Sequence, residues 1–258
     1  ALRYSYDRLE AIEDGLNTKT EMVVNDANSI LEQLERLNNQ IKVIRVAGDN
    51  PNDLMDERDL LLDRLSEMMD IKVEPVFAGT DNKRATGEIR VLVNAQGSED
   101  PIALVDPDLE YGYQKLNIDK DNNHALFVGQ EGPDEEDPNP AKTYLVLGAG
   151  ELYGLAMTRG ADDADNSTST ITYYKEQLDI LARGLAGALN EIHREGFTLK
   201  EDDDGLIQGS DFFVFLDESG NPLDADEASA QYIWVNPQIE KDVGYIAAGR
   251  TEEGEDQH

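Results

Sequence analysis

The sequence predicts an α+β fold, a long-helix antiparallel bundle with a packed antiparallel β-rich part. Three observations carry that prediction. Apolar residues recur every seven positions from Leu2 to Ile44. A second apolar series, from Ile171 to Ile192, advances in alternating steps of three and four. Between them, residues 71–147 change to runs that alternate every second residue, separated by Gly, Pro, Asn and Asp. The first two patterns match the turn of an α-helix, and the third matches the pleat of a strand.

The first seam is Leu2, Leu9, Leu16, Val23, Ile30, Leu37 and Ile44, with no proline between its ends. A second seam, Tyr6, Glu13, Thr20, Ala27, Leu34 and Ile41, is polar in its first half and apolar in its second. Together they predict one helix over 2–47, roughly 70 Å long at about 1.5 Å per residue. Gly48 suits the left-handed conformation that ends a helix. Asn50 then reads as an N-cap, with Pro51 at the first position of a second helix. That helix runs to about Asp70, its buried face marked by Leu54, Leu61, Leu65 and Met68 and interrupted by Arg58. The short connection predicts an antiparallel hairpin.

Strands are predicted at Ile71–Glu74, Glu88–Val93 and Thr143–Leu147. Gln130–Ala141, acidic and holding three prolines, reads as a loop. Helical spacing returns near Leu152–Arg159, followed by an acidic loop at Ala161–Asn166 and capping residues at Ser167–Ser169. A third major helix is predicted from about Thr170 to Glu195, ended by Gly196. Its seam is Ile171, Tyr174, Leu178, Leu181, Leu185, Ala188 and Ile192. The two long seams are expected to bury against each other. After them come a buried strand at Phe212–Leu216, an acidic loop at Asp217–Ala230, a strand at Tyr232–Val235 and a terminal helix at Gln238–Gly249. The expected division is a helical bundle from 1–70 and 158–196, a β-rich part at 71–157, and a second β-strand segment with a short terminal helix at 197–258.

Composition removes several function classes. The chain has 55 acidic and 22 basic residues, a net charge of −33. Nucleic-acid binding requires clustered Lys and Arg, so no nucleic-acid partner is expected, and an anionic membrane surface is disfavoured for the same reason. Such self-repulsion is screened by salt, which points to a protein adapted to brine. Without cysteine there is neither a disulfide nor a thiolate metal site. No apolar run approaches the ~20 residues of a membrane span. The helical repeat is already under way at residue 2, and this predicts an interior segment of a longer chain.

Candidate chemistry is thin. Gly148-Ala149-Gly150 between a strand and a helix lacks the third glycine of a dinucleotide loop, because Tyr153 stands there, so it reads as a turn. Asp119, Asp121 and Asn123 match the first ligands of a calcium loop, but His124 and Gln130 replace its Gly and Glu. Asp202-Asp203-Asp204-Gly205 reads as a solvated turn. His124, His193 and His258 lack ligand spacing; His193 suits a helix end or a packing role. Trp234 reads as core. No catalytic, cofactor-binding or metal-ligating residue is assigned, no cofactor is expected, and the chain is not read as an enzyme.

Two segments carry a resemblance. Asn52–Ser66 reads Asn-Asp-Leu-Met-Asp-Glu-Arg-Asp-Leu-Leu-Leu-Asp-Arg-Leu-Ser. It resembles the Asn-Asp-Leu-x-Asp-Gln-Arg-Asp segment of the flagellar hook-associated protein 1 family, with Glu57 in place of Gln. Leu181-Ala182, Ala186 and Asn190-Glu191-Ile192-His193-Arg194-Glu195-Gly196 are similar to the family's Leu-Ala and Asn-x-x-His-x-x-Gly pattern. Phe212-Phe213 follows where the family has paired Phe, and Val235, Ile239, Asp242 and Ile246-Ala247-Ala248 resemble the segment beyond. At the glycine turn Ala149 and Tyr153 replace two family glycines, leaving Gly150, Leu152 and Leu155.

The resemblance implies an extracellular structural component of the bacterial flagellum, at the junction between hook and filament, that supports filament assembly. It implies export through the flagellar type III channel, and terminal helices beyond both ends that line an inner tube. The implied partners are other copies of itself in a ring, the flagellar hook protein, the second hook–filament junction protein, and an export chaperone for the full-length protein. The 258-residue chain itself is expected to be monomeric. The alternative is an extracellular coiled-coil adhesin or adaptor that dimerises through its long helix.

Overall fold

The computed structural model describes residues 1–78, 84–129, 142–160, 170–202, 205–224 and 227–249. The acidic loops expected at 130–141 and 161–166, the caps at 167–169 and the tail 252–258 lie outside these residues. The helices are α1 (Leu2–Ala47), α2 (Asn52–Met68), α3 (Glu151–Arg159), α4 (Ile171–Glu195) and α5 (Pro237–Lys241). The strands are β1 (Lys72–Ala78), β2 (Arg84–Val93), β3 (Ile102–Val105), β4 (Leu116–Asp119), β5 (Ala125–Val128), β6 (Thr143–Tyr144), β7 (Phe197–Asp202), β8 (Gly205–Gln208), β9 (Phe213–Phe215) and β10 (Ile233–Val235). All paired strands are antiparallel. The α+β class is as the periodicities predict. Contacts divide the chain into two compact units, Asp14–Asn166 and Ala1–Glu13 with Ser167–His258.

In the 14–166 unit both α1 seams are buried. Val23, Ile30 and Leu37 come from one seam, and Ala27, Leu34 and Ile41 from the other. They pack with Leu61 and Leu65 of α2, Ile89, Val91 and Val93 of β2, and Leu152 of α3. Each fully buried Leu or Ile contributes about 1.5–3 kcal/mol, so this stripe anchors the unit. Two sheets, β1-β2-β3 and β4-β5-β6, belong to it. Gly48 ends α1 at φ 97°, as expected. The start of α2 differs from the prediction: Pro51, not Asn50, is the N-cap, and no side chain caps the helix. The Asn50 amide instead donates to Asn52 Oδ1 at 2.5 Å.

The other unit has a small core. Ala182, Ala186, Ala230 and Ile233 are buried, with Leu2, Tyr6, Leu178, Phe213 and Phe215 packed around them. Thr170 caps α4 by accepting from the Tyr173 N–H at 3.1 Å.

Three expectations fail here. Of the predicted α4 seam only Ile171 is buried and Leu178 half-buried: Tyr174, Leu181, Leu185 and Ile192 are 49, 55, 45 and 66% exposed. The buried line lies one residue further round, through Ala182, Ala186, Asn190 and His193. Small alanines let the 210–213 backbone approach closely enough for Asn190 and His193 of α4 to reach it, and the leucines are left outside. The terminal helix shrinks to α5 and a 3₁₀ turn at Val243–Tyr245. Beyond them Gly249 bridges to Phe197 as extended chain, because those residues' hydrogen bonds go to β7. Strand β9 is half-buried throughout. The β7–β8 hairpin, which pairs Asp202 with Gly205, was not predicted; residues 203 and 204 of the acidic run lie outside the described residues.

Candidate functional site

Three helical asparagines, two of them on the buried face of α1, recur in one geometry. The side-chain amide of each donates to, and its oxygen accepts from, the backbone of a single residue on a neighbouring segment. Asn28 holds Leu116 at 2.9 and 2.7 Å. Asn38 holds Ile89 at 2.8 and 3.1 Å. Asn190 of α4 holds Phe213 at 2.8 Å in both directions. A primary amide copies the donor–acceptor pair of a peptide, so each asparagine acts as one residue of an extra strand. Buried backbone groups must be paired, so these braces fix where the strands attach to the helices.

Arg58 interrupts the apolar stripe of α2 because it performs the same task for β2. It is buried, and its Nη1 donates to the Gly87 carbonyl at 2.6 Å. Burial lowers the guanidinium's pKa below its ordinary value; Asp59, at 3.9 Å, acts in the other direction.

His193 is a clamp between three segments. Its Nδ1–H donates to the Ser210 carbonyl at 2.5 Å, and its Nε2 accepts from the Ala247 N–H at 2.9 Å. These two partners select the Nδ1–H tautomer of the neutral ring. Phe212 stacks on it edge-on at 5.5 Å between centroids. The close fit requires glycine at 209, where a Cβ would sit 1.9 Å from the His193 carbonyl oxygen.

Asp119, Asn123, the glycine turn and Trp234, weighed for ligand binding or core roles, each have structural partners. Asp119 accepts from Lys142 Nζ at 2.8 Å and Tyr144 Oη at 2.6 Å. Those bonds hold its carboxyl at about 2, the Lys142 contact being the largest cause. Gln130 lies outside the described residues. Gly150 has φ 94°, and a Cβ there would lie 2.6 Å from the Met69 nitrogen, so the glycine turn serves the close approach of α3 to the end of α2. Trp234 departs from the core reading. It is partly exposed and lies under the Arg3 guanidinium, 3.4 Å from the ring centroid. Among the described residues no group of three His, Cys, Asp or Glu side chains has metal-binding geometry. A groove of about 510 Å³ is lined by Tyr144, Tyr153, Leu152 and Arg159 among others. An acidic one of about 270 Å³ includes Glu35, Glu88 and Glu110, and Glu88 already pairs with Lys42 at 3.0 Å. No helix among the described residues is long and apolar enough to cross a membrane.

The model of the flagellar hook-associated protein FlgK helical domain matches residues 1–213. The chain belongs to the FlgK family. It is 31% identical over 223 residues to flagellar hook-associated protein 1 of Bacillus subtilis, covering 85% of this chain and 42% of that one. The Salmonella typhimurium protein of the same name is 28% identical over 188 residues, 72% of this chain and 29% of its own. The chain thus spans less than half the length of these relatives. The flagellar hook junction protein FlgK from Burkholderia pseudomallei shares the fold, with a TM-score of 0.60 at 20% identity over 83% of this chain and 34% of that one. In this member of the FlgK family, the motif residues that carry the sequence resemblance, Arg58, Asn190, His193 and Phe213, all attach backbone segments to helices. Asn28 and Asn38 escaped the sequence reading. Their signal was an amide beside the apolar seam, at Asn38 between Leu37 and Ile41.

Proposed function

We propose that this chain is the helical-domain portion of a structural flagellar subunit that joins hook to filament and supports filament assembly. The observation that carries the reading is the FlgK helical-domain match over residues 1–213. The arrangement supports it. Asn28, Asn38, Arg58, Asn190 and His193 spend hydrogen bonds on backbone, and Asp119 on Lys142 and Tyr144, which suits a scaffold better than a reactive site. The exposed heptad stripe of α4, Tyr174, Leu181, Leu185 and Ile192, suits a protein that works in an assembly. On this reading the partners are other copies in a ring, the hook protein and the second junction protein, with an export chaperone for the full-length chain. The location is the extracellular flagellum, reached through the flagellar export channel, and there is no enzymatic activity.

Deleting the gene tests it. The expected phenotype is loss of swimming with filament protein shed into the medium, restored by the full-length gene. A deletion strain that swims normally overturns the reading. Light scattering separates it from the adhesin alternative: a monomer at micromolar concentration is expected, and a stable parallel dimer counts against the junction.

A further inference from the structure

We propose that Arg45 and Arg58 form a binding site for a small inorganic oxyanion, phosphate or sulfate, where α1 and α2 meet β2. All three elements belong to the 14–166 unit at this point. Both side chains close on Gly87. Arg58 Nη1 donates to the Gly87 carbonyl at 2.6 Å. Arg45 runs past the same residue, so that a Cβ on Gly87 would lie 3.0 Å from Arg45 Cγ and 3.5 Å from its Nε. Two guanidiniums thus share one neighbour. Burial is the main cause that lowers the Arg58 pKa, and the charge of Arg45 pushes it the same way.

Acceptors are scarce around the pair. Asp59 is 3.9 Å from Arg58 Nε, beyond hydrogen-bond reach, and its carboxylate is mostly in solvent. Arg45 donates to Met55 Sδ at 3.4 Å, a weak acceptor, and among the described residues it has no ion pair. Glu88, the next residue along β2, is bound to Lys42 at 3.0 Å. The Nε of each arginine is buried without a hydrogen bond, and Arg58 is 6% exposed. Arg45 Nη1 and Arg58 Nη2 also make no hydrogen bond, and they remain open to solvent.

A chain with 55 acidic and 22 basic residues has left two adjacent cations short of carboxylates. An oxyanion between them cancels their repulsion and accepts from both planar forks. A free ion fits better than a carboxylate of a second copy, because that copy would bring its own net charge of −33 to the contact. The bound ion would tie both helices to β2. The site stands whether or not the junction reading holds.

Titrating the 258-residue chain with sodium phosphate, followed by its amide chemical shifts, tests the site. The titration is run in roughly 0.5 M sodium chloride, where the Debye length is about 4 Å and the chain's overall repulsion of anions is screened. The Gly87 and Glu88 amides and the Arg58 Nε–H are expected to shift and to saturate at millimolar phosphate. Arg45→Gln is expected to weaken binding by about tenfold or more, through loss of one charge-assisted partner. That variant gives up one hydrogen bond, to Met55 Sδ, so the fold is expected to survive. Arg64→Gln makes the same charge change at an exposed arginine of α2 and is expected to leave the affinity unchanged. Shifts that grow linearly without saturating overturn the proposal. Equal weakening in the two variants overturns it too, as does saturable binding that Arg45→Gln leaves intact.

Discussion

Asn38 and Ile89 hold each other through two hydrogen bonds: the asparagine amide donates to the Ile89 carbonyl at 2.8 Å, and the Ile89 N–H donates to Asn38 Oδ1 at 3.1 Å. Both residues are buried, so water cannot replace either bond. Asn38→Ala is expected to lower the unfolding free energy by about 2–4 kcal/mol, since it strands one donor and one acceptor. Urea denaturation measures it. A loss below about 0.5 kcal/mol would show that β2 docks without the brace.

His193→Ala removes an acceptor for the Ala247 N–H and a donor for the Ser210 carbonyl. A cost of about 2 kcal/mol is expected. Hydrogen exchange should quicken at Ala247, Ala248 and Gly249 and stay unchanged in β2. Uniform quickening along the chain would mean that the clamp is not local.

Glycines divide into required and dispensable ones. Gly150→Ala forces a Cβ to 2.6 Å from the Met69 nitrogen at a positive φ of 94°, and a loss of about 3 kcal/mol is expected. Gly187→Ala, on the open side of α4, meets nothing within 4 Å and should raise stability by about 0.5–1 kcal/mol. Thermal melts of the two variants should shift in opposite directions.

The Asp119 carboxyl is held at about 2, below its ordinary 3.8, first by the Lys142 hydrogen bond and then by Tyr144. A pKa lower in the folded state than in the unfolded one adds stability that is complete above the unfolded value. That stability is lost as pH falls from 3.8 towards 2. Asp119→Asn should therefore be less stable than the parent at neutral pH and flatter in stability across that acid window. Denaturation midpoints measured through the window test this, and identical slopes for the two proteins would contradict it.

Salt should stabilise the fold. With a net charge of −33, self-repulsion is strong in dilute buffer and screened in concentrated salt. The Tm is expected to rise by about 5 °C or more between roughly 0.1 M and 2 M salt. A flat response would remove the case for adaptation to brine.

The sequence by itself determined the class, the long helix and the family. A seven-residue repeat without proline from Leu2 to Ile44 has one regular solution, and Asn52–Ser66 with Asn190–Gly196 is specific enough to name relatives. Helix ends at Gly48 and Gly196 were legible because local backbone chemistry sets them. Tertiary structure alone decided which face of α4 is buried. Leu181 and Ala182 are both apolar, and periodicity cannot tell that small alanines bring the 210–213 backbone within reach of Asn190 and His193. It also decided the roles of Asn28, Asn38 and Arg58, because a side chain that completes a distant strand reads locally as a polar interruption. The extended end at Ala247–Gly249 has the same cause. Its hydrogen bonds go to Phe197 and His193, about 50 residues away in the chain, where local propensity has no influence.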